Sequence, residues 1–323
     1  MDPVLLNDWH PVAMSSDLQE ASILPARLLG EDLVLWRIHG EAKVWQDLCV
    51  HRGTRLSLGS VEGDNLVCAY HGWTYNGEGE CVKMPAHPEQ EPSPKAKVRG
   101  YGCREKYGLV WACLGDGPGK IPKFDEWEDS SFRKIACGPY RYRASGTRAV
   151  ENFLDVAHLP VLHSGMLGEK SHAEIEDYEV EVSKGDGGGI VARNVKIWQP
   201  DPDGTGVGKN VVYTYKVLRP LTMYLAKDTE QGRFSIFSTV CPVSEFESVA
   251  WFWLAMNYGH DIPEEELRAF QDKITGQDIP VVESQRPERL PLDLQAELHL
   301  RSDRVAVAYR KWLRGLGLTF GTA

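Results

Sequence analysis

Cys49-Val50-His51-Arg52-Gly53 and, after sixteen intervening residues from His51, Cys68-Ala69-Tyr70-His71-Gly72-Trp73 decide how this chain is read. Each couple carries one thiol and one imidazole, spaced C-x-H and then C-x2-H, so each is short enough to be a single metal-binding loop. A C2H2 zinc finger divides its ligands differently, with both cysteines in one couple and both histidines on a helix. One soft and one borderline donor per loop suits a two-iron, two-sulfide cluster in which one iron takes both cysteines and the other both histidines. Neutral imidazole in place of thiolate removes negative charge, so such a cluster is more easily reduced. A Cys2His2 zinc site, or four unrelated residues, is the alternative at this point.

Outward from these couples, the chain from Arg27 to about Leu114 is a series of short strand-like runs. Leu33-Val34-Leu35-Trp36-Arg37-Ile38, Lys43-Val44-Trp45-Gln46 and Leu109-Val110-Trp111-Ala112-Cys113 are separated by turn signals such as Asn76-Gly77. Pro85, Pro88, Pro92 and Pro94 crowd a segment that therefore reads as an irregular loop. Gly115-Asp116-Gly117-Pro118-Gly119 marks a second break, and the division is placed at 1–125 and 126–323. The second half mixes strands with helices, an α+β pattern of helices on an antiparallel sheet. A helix is predicted from Thr147 to Leu159. Asp261 with Glu264 predicts the cap of a long helix, and Ser302 the cap of the last one.

Composition narrows the classes of function. The 36 basic and 46 acidic residues leave a net charge of -10, which disfavours a nucleic-acid role because phosphate neutralisation needs clustered Lys and Arg. The longest apolar run, Val249 to Met256, is eight residues, well short of the roughly 20 that span a bilayer. No membrane span is expected. The first Arg or Lys is Arg27, so the basic start of an export segment is missing, and the cytoplasm is the expected compartment. Cys81, Cys103, Cys113, Cys137 and Cys241 lack ligand spacing and read mostly as buried free thiols.

A second constellation lies in Glu151-Asn152-Phe153-Leu154-Asp155-Val156-Ala157-His158-Leu159-Pro160-Val161-Leu162-His163. On the predicted helix Asn152, Asp155 and His158 drift along one face, and Pro160 can turn His163 toward His158. Two His and one carboxylate on one side of a metal form the facial triad of non-haem Fe(II) oxygenases, leaving positions open for O2. The third ligand is sought by helix phase: Leu267, Phe270, Ile274, Val281 and Val282 mark an inward stripe, and Asp278 falls four residues after Ile274. Asp272, Glu265 and Glu283 lie off that stripe and read as solvated. A core histidine, a surface histidine and a salt-bridged Asp278 form the bland alternative. Aromatics from Trp198 to Trp253 suggest an apolar pocket, with Asn257 and Tyr258 as polar contacts at a strand end.

Together the two constellations resemble the Rieske non-haem iron oxygenases, whose Rieske motif precedes a mononuclear-iron motif of the form Asn152-x2-Asp155-x2-His158-x4-His163. The segment Gln277-Asp278-Ile279-Pro280-Val281-Val282-Glu283-Ser284-Gln285 is similar to the family's third-ligand segment, although many relatives have Glu where Gln277 stands. The resemblance covers essentially the whole chain and points to the homotrimeric monooxygenase and demethylase branch, which includes dicamba and caffeine demethylases and saxitoxin-pathway hydroxylases. It implies a Rieske [2Fe-2S] domain followed by a helix-grip, START-like catalytic domain. Cys49, His51, Cys68 and His71 would hold the cluster, and His158, His163 and Asp278 the Fe(II). Asp155 and Asn152 would act beside the iron, Asp155 as the bridge to His71 of the next subunit. Two electrons from NAD(P)H would arrive through a ferredoxin and/or flavin reductase, and O2 would hydroxylate or demethylate a small aromatic, heterocyclic or alicyclic substrate. A Rieske electron carrier leaves the second motif unexplained, and a non-catalytic START-like module leaves both unexplained.

Overall fold

Trp36, Trp45, Leu66 and Tyr75, with Cys49 and Cys68 among them, are buried together in the N-terminal half. The computed structural model describes residues 2–116, 119–183 and 189–323, in two units, 3–121 and 122–323. The expected break at Gly115-Asp116-Gly117-Pro118-Gly119 falls partly outside the described residues, since 117 and 118 are not among them. No helix among the described residues is long and apolar enough to cross a membrane.

The first unit is all-β apart from short helical turns, as expected. One antiparallel sheet runs in the order His10–Met14, Leu109–Cys113, Gly100–Lys106, Glu41–Gln46, Glu31–Ile38, Ile23–Leu28, and a smaller one joins Ser60–Glu62, Asn65–Val67, Thr74–Tyr75 and Cys81–Lys83. The strand His10–Met14 lies before the region read as β-rich. Its partner stands about a hundred residues later, and local pattern alone does not reveal such a pairing.

The second unit is α+β. Its seven-stranded antiparallel sheet runs Glu179–Val182, Ile190–Gln199, Lys209–Arg219, Thr222–Asp228, Arg233–Ser244, Glu247–Met256 as a meander, and Arg133–Tyr142 returns to close the far edge. The helix Glu264–Ser284 is pinned along that edge strand at three levels. Arg268 Nε donates to Ala136 O (3.0 Å), Tyr140 Oη donates to Asp272 (2.6 Å), and Arg143 pairs with Glu283 (2.8 Å). Asp272 and Glu283 are therefore engaged with the sheet, where the sequence reading left them to solvent.

Several helix details depart from expectation. The first helix of this unit covers Gly146–Leu154 and stops five residues early, because Asp155 accepts the Ala157 N–H (2.8 Å) and so offers the backbone a local alternative to the next helical turn. Asn152 alone of the three polar residues thus stands on that helix. Asp155 is its C-cap, and His158 opens a separate short helix, Leu159–Leu162, that carries Pro160 at its start. The long helix begins at Glu264 behind Pro263, with no side-chain cap from Asp261, and Asp303 rather than Ser302 precedes Arg304–Leu316. On the long helix the inward residues are Gln271, Ile274, Thr275, Asp278 and Val282, whereas Phe270 and Val281 are exposed.

Candidate metal centres

The two Cys/His loops are built on one hydrogen-bond plan. Cys49 N–H donates to Thr54 O (2.8 Å) and Gly53 N–H returns to Cys49 O (2.9 Å). Cys68 N–H likewise donates to Trp73 O (2.9 Å), and Gly72 N–H returns to Cys68 O (3.0 Å). Each plan closes through a glycine at positive φ, Gly53 at 73° and Gly72 at 68°, a conformation that side chains disfavour. A Cβ on Gly72 would also stand 2.9 Å from Pro85, so the proline-rich loop packs directly against the second couple.

These loops bring the two thiols together and the two imidazoles together. Both thiols are buried and close enough for the Cys49 sulfur to raise the Cys68 pKa, after burial itself, and the Tyr75 hydroxyl lies 3.1 Å from Cys49 Sγ. The His51 and His71 rings meet edge to face at 4.6 Å, and His51 stacks on Trp73. Burial, with His71 and Arg52 beside it, lowers the His51 pKa, which favours the neutral ligand form. His51 Nδ1 is buried without a hydrogen-bond partner. A buried polar nitrogen of this kind is costly unless something meets it, and the set fits a cluster ligated by two thiolates and two imidazoles. His71 lies at the exposed side, next to Tyr70, which is 64% exposed.

In the second unit His158, His163 and Asp278 offer one ligand atom each, all within 4.8 Å of one another. Asp278 Oδ1 lies 3.1 Å from His163 Nε2 and 3.5 Å from His158 Nε2. Despite that closeness His163 Nε2 has no hydrogen-bond geometry toward any acceptor. Donors about 2.0–2.2 Å from a first-row ion and meeting it at right angles stand about 3 Å apart. The three residues thus have the spacing of ligands round a shared ion. Burial lowers the His163 pKa, but Asp278 and Gln277 outweigh it and leave the pKa raised, so this spot attracts positive charge.

Neighbouring groups orient the triad. His163 Nδ1–H donates to Gln277 Oε1 (2.8 Å), which leaves Nε2 as the free lone pair. Asn152 Nδ2 reaches Asp278 Oδ1 at 3.4 Å. Asp155 Oδ2 stands 3.7 Å from His158 Nδ1, beyond hydrogen-bond length, and its side chain is 43% exposed. Gln277 stands out: replacing it with alanine is expected to weaken Fe(II) binding by about 10–100-fold, the range for loss of a group that orients a ligand. Chelator competition measures this. Glu265→Ala, on the exposed helix face, should leave the affinity unchanged.

The triad opens on a cavity of about 500 Å³ between the sheet and the long helix. Period-two alternation sends Phe234, Ile236, Ser238 and Val240 inward from one strand and Ala250, Phe252, Leu254 and Met256 from the next. Leu267, Phe270, Gln271, Ile274 and Asp278 face them at helical spacing. Of the aromatics between Trp198 and Trp253, Tyr213, Tyr215, Phe234 and Phe252 line the cavity, while Trp198, Tyr224, Phe237, Trp251 and Trp253 do not. Tyr258 lines it too, but Asn257 Oδ1 is spent on the Arg233 N–H (2.7 Å). The sequence reading missed Lys227 and Gln199, both in the lining. Lys227 alternates with Met223 and Leu225, a period-two signal in a run not recognised as a strand.

Residues 8–101 match the family model of the Rieske [2Fe-2S] domain, and residues 142–318 match that of the vanillate O-demethylase oxygenase C-terminal domain. The methylxanthine N1-demethylase NdmA of Pseudomonas putida is 31% identical, over 98% of this chain and 92% of its own length. Its structure with caffeine superposes with a TM-score of 0.82, covering 96% of this chain and 90% of that one. Dicamba monooxygenase bound to dicamba is 25% identical with a TM-score of 0.80, covering 98% of each chain. The oxidoreductase NdmD of Pseudomonas putida is 41% identical over 122 residues, 37% of this chain and 21% of its own length.

Proposed function

This chain belongs to the Rieske non-haem iron oxygenases, and on that premise we propose that it demethylates a small aromatic or heteroaromatic compound at nitrogen or oxygen. It is the oxygenase component of a monooxygenase that uses a [2Fe-2S] cluster, a mononuclear iron and electrons from a separate reductase. The observation that carries the proposal is the His158, His163 and Asp278 group opening on a cavity walled by Tyr213, Tyr215, Phe234 and Phe252. In this reading those three residues hold the iron, and Cys49, His51, Cys68 and His71 hold the cluster. Bound there, the iron would supply O2 activation and the cluster one-electron transfer.

The chain's own residues do the rest. Aromatic walls hold a flat ring and exclude water, Gln277 fixes the face that His163 presents, and Asn152 steadies Asp278. The balance is R–X–CH3 + O2 + 2 electrons + 2 H⁺ giving R–XH + formaldehyde + water, where X is nitrogen or oxygen. We further place the chain in a homotrimer, in which His71 of one subunit meets Asp155 of the next. Both residues have exposed side chains on their own units, and Asp155 stands beside His158. A flavin reductase, with or without a ferredoxin, is the electron donor in this reading. Seven cysteines, none of them in a disulfide, suit a reducing cytoplasm.

A single turnover tests the reaction without any partner protein. Protein reduced with dithionite, freed of excess reductant and then given O2 with caffeine, theobromine, dicamba or methoxybenzoates should release formaldehyde equimolar with the demethylated product from at least one of them. Ring hydroxylation with every methyl group retained would overturn the demethylase reading.

A further inference from the structure

The cavity contains a positive charge that the iron chemistry does not use. Lys227 lies on the strand Thr222–Asp228, is 8% exposed, and is the only Lys or Arg among the described residues that line the cavity. Its Nζ donates to Gln199 Oε1 (3.1 Å) and Pro202 O (2.7 Å), and it stands 5.5 Å from the Phe234 ring centroid. Gln199 is itself fixed, since its Nε2 donates to Tyr213 Oη (2.8 Å) and Leu167 O (3.3 Å). Both acceptors of the ammonium are therefore neutral, and they account for two of its three protons.

The nearby carboxylates are occupied elsewhere. Asp203 pairs with Lys209 (2.7 Å) and accepts from Thr205 (2.8 Å), and the exposed Asp201 accepts the Gly206 N–H (2.9 Å). Glu266, the other carboxylate of the lining besides Asp278, is exposed on the helix. Burial pushes the Lys227 ammonium down to about 8, with Asp203 and Asp201 acting in the opposite sense. A buried charge is stable when an opposite charge and full hydrogen bonding meet it. Here the protein supplies two dipoles to an ammonium whose side chain lines the cavity.

We infer that Lys227, braced by Gln199, anchors an anionic oxygen of the substrate. The substrate class is then a small aromatic or heteroaromatic acid, a carboxylate or similarly acidic oxygen, that also carries the methyl group. This rests on the demethylase reading and narrows it. Because the anion would exchange water for a charge-assisted hydrogen bond in an apolar cavity, its advantage over a neutral isostere is about tenfold or more.

Calorimetric titration of the iron-loaded protein with matched pairs tests this: 3- and 4-methoxybenzoate against the corresponding methoxybenzamides. The parent protein should bind the acid at least about tenfold more tightly in one pair. Lys227→Met should bring that ratio close to one at unchanged iron content, and Lys227→Arg should keep it. Equal binding of acid and amide, no binding of either acid, or a preference that survives Lys227→Met would overturn the assignment. Formaldehyde release separates the two failures: turnover of neutral methyl compounds without an acid preference sinks the anchor alone, whereas no formaldehyde from any compound sinks the demethylase reading.

Discussion

His163→Ala is expected to abolish product formation while the visible absorption of the cluster persists. His163 is fully buried, stands 3.1 Å from Asp278, and is held by Gln277 on its other nitrogen. Its loss removes one of three donors and leaves Asp278, a buried carboxylate, facing His158 alone. The loss of Fe(II) affinity should exceed about 100-fold, the upper end for removing a residue that only orients a ligand. The proposed cluster residues lie in the other unit, with Cys49 and Cys68 in its buried core, so the cluster spectrum is an internal control for folding. Metal analysis should find one iron fewer per chain. Retained mononuclear iron with retained turnover would place the reaction elsewhere.

Asp155→Ala carries the second large effect, with a different signature. Asp155 spends one oxygen on the Ala157 N–H, where it ends the helix, and turns the other toward His158 Nδ1, itself buried and without a hydrogen-bond partner. If this carboxylate links His158 to His71 of the neighbouring subunit, its removal leaves both metals bound and the cluster reducible by dithionite. Product formation should nevertheless fall by more than about 100-fold. If it only steadies its own His158, iron occupancy and activity fall together. Mixed oligomers separate the routes: a His71→Ala chain combined with a His158→Ala chain should regain activity if electrons cross between subunits, and none if each chain reduces only its own iron.

The parts of this molecule legible in its sequence are those whose chemistry is local. Cys49 with His51 and Cys68 with His71 each sit in one tight loop, so spacing alone reports them, and the glycines that close the loops stand in the same motifs. The inward position of Asp278, beside His158 and His163, was legible through helix phase, although the stripe that located it was partly misleading. Val281 matches the apolar pattern but is 43% exposed and outside the cavity lining, and Phe270, 46% exposed, lines the open cavity rather than the packed core, where Gln271 and Thr275 are buried. The helix end at Leu154 was not legible, since a single Asx contact from Asp155 decides it against a strong apolar stripe. Nor was Lys227 as a lining residue. A lysine in an alternating strand reads as solvent-facing, and only the pairing of Thr222–Asp228 with Lys209–Arg219 and Arg233–Ser244 turns that face inward.

Metal and sulfide content measured on anaerobically reconstituted protein tests the central claim most directly. Two centres, one held by two thiolates and two imidazoles and one by two imidazoles and a carboxylate, predict about three irons and about two acid-labile sulfides per chain. Reduction with dithionite should give the electron paramagnetic resonance signal of a [2Fe-2S] cluster with mixed Cys and His ligation. Zinc in place of iron at Cys49, His51, Cys68 and His71, with no acid-labile sulfide, would contradict the account. So would a content of about two irons that His158→Ala leaves unchanged.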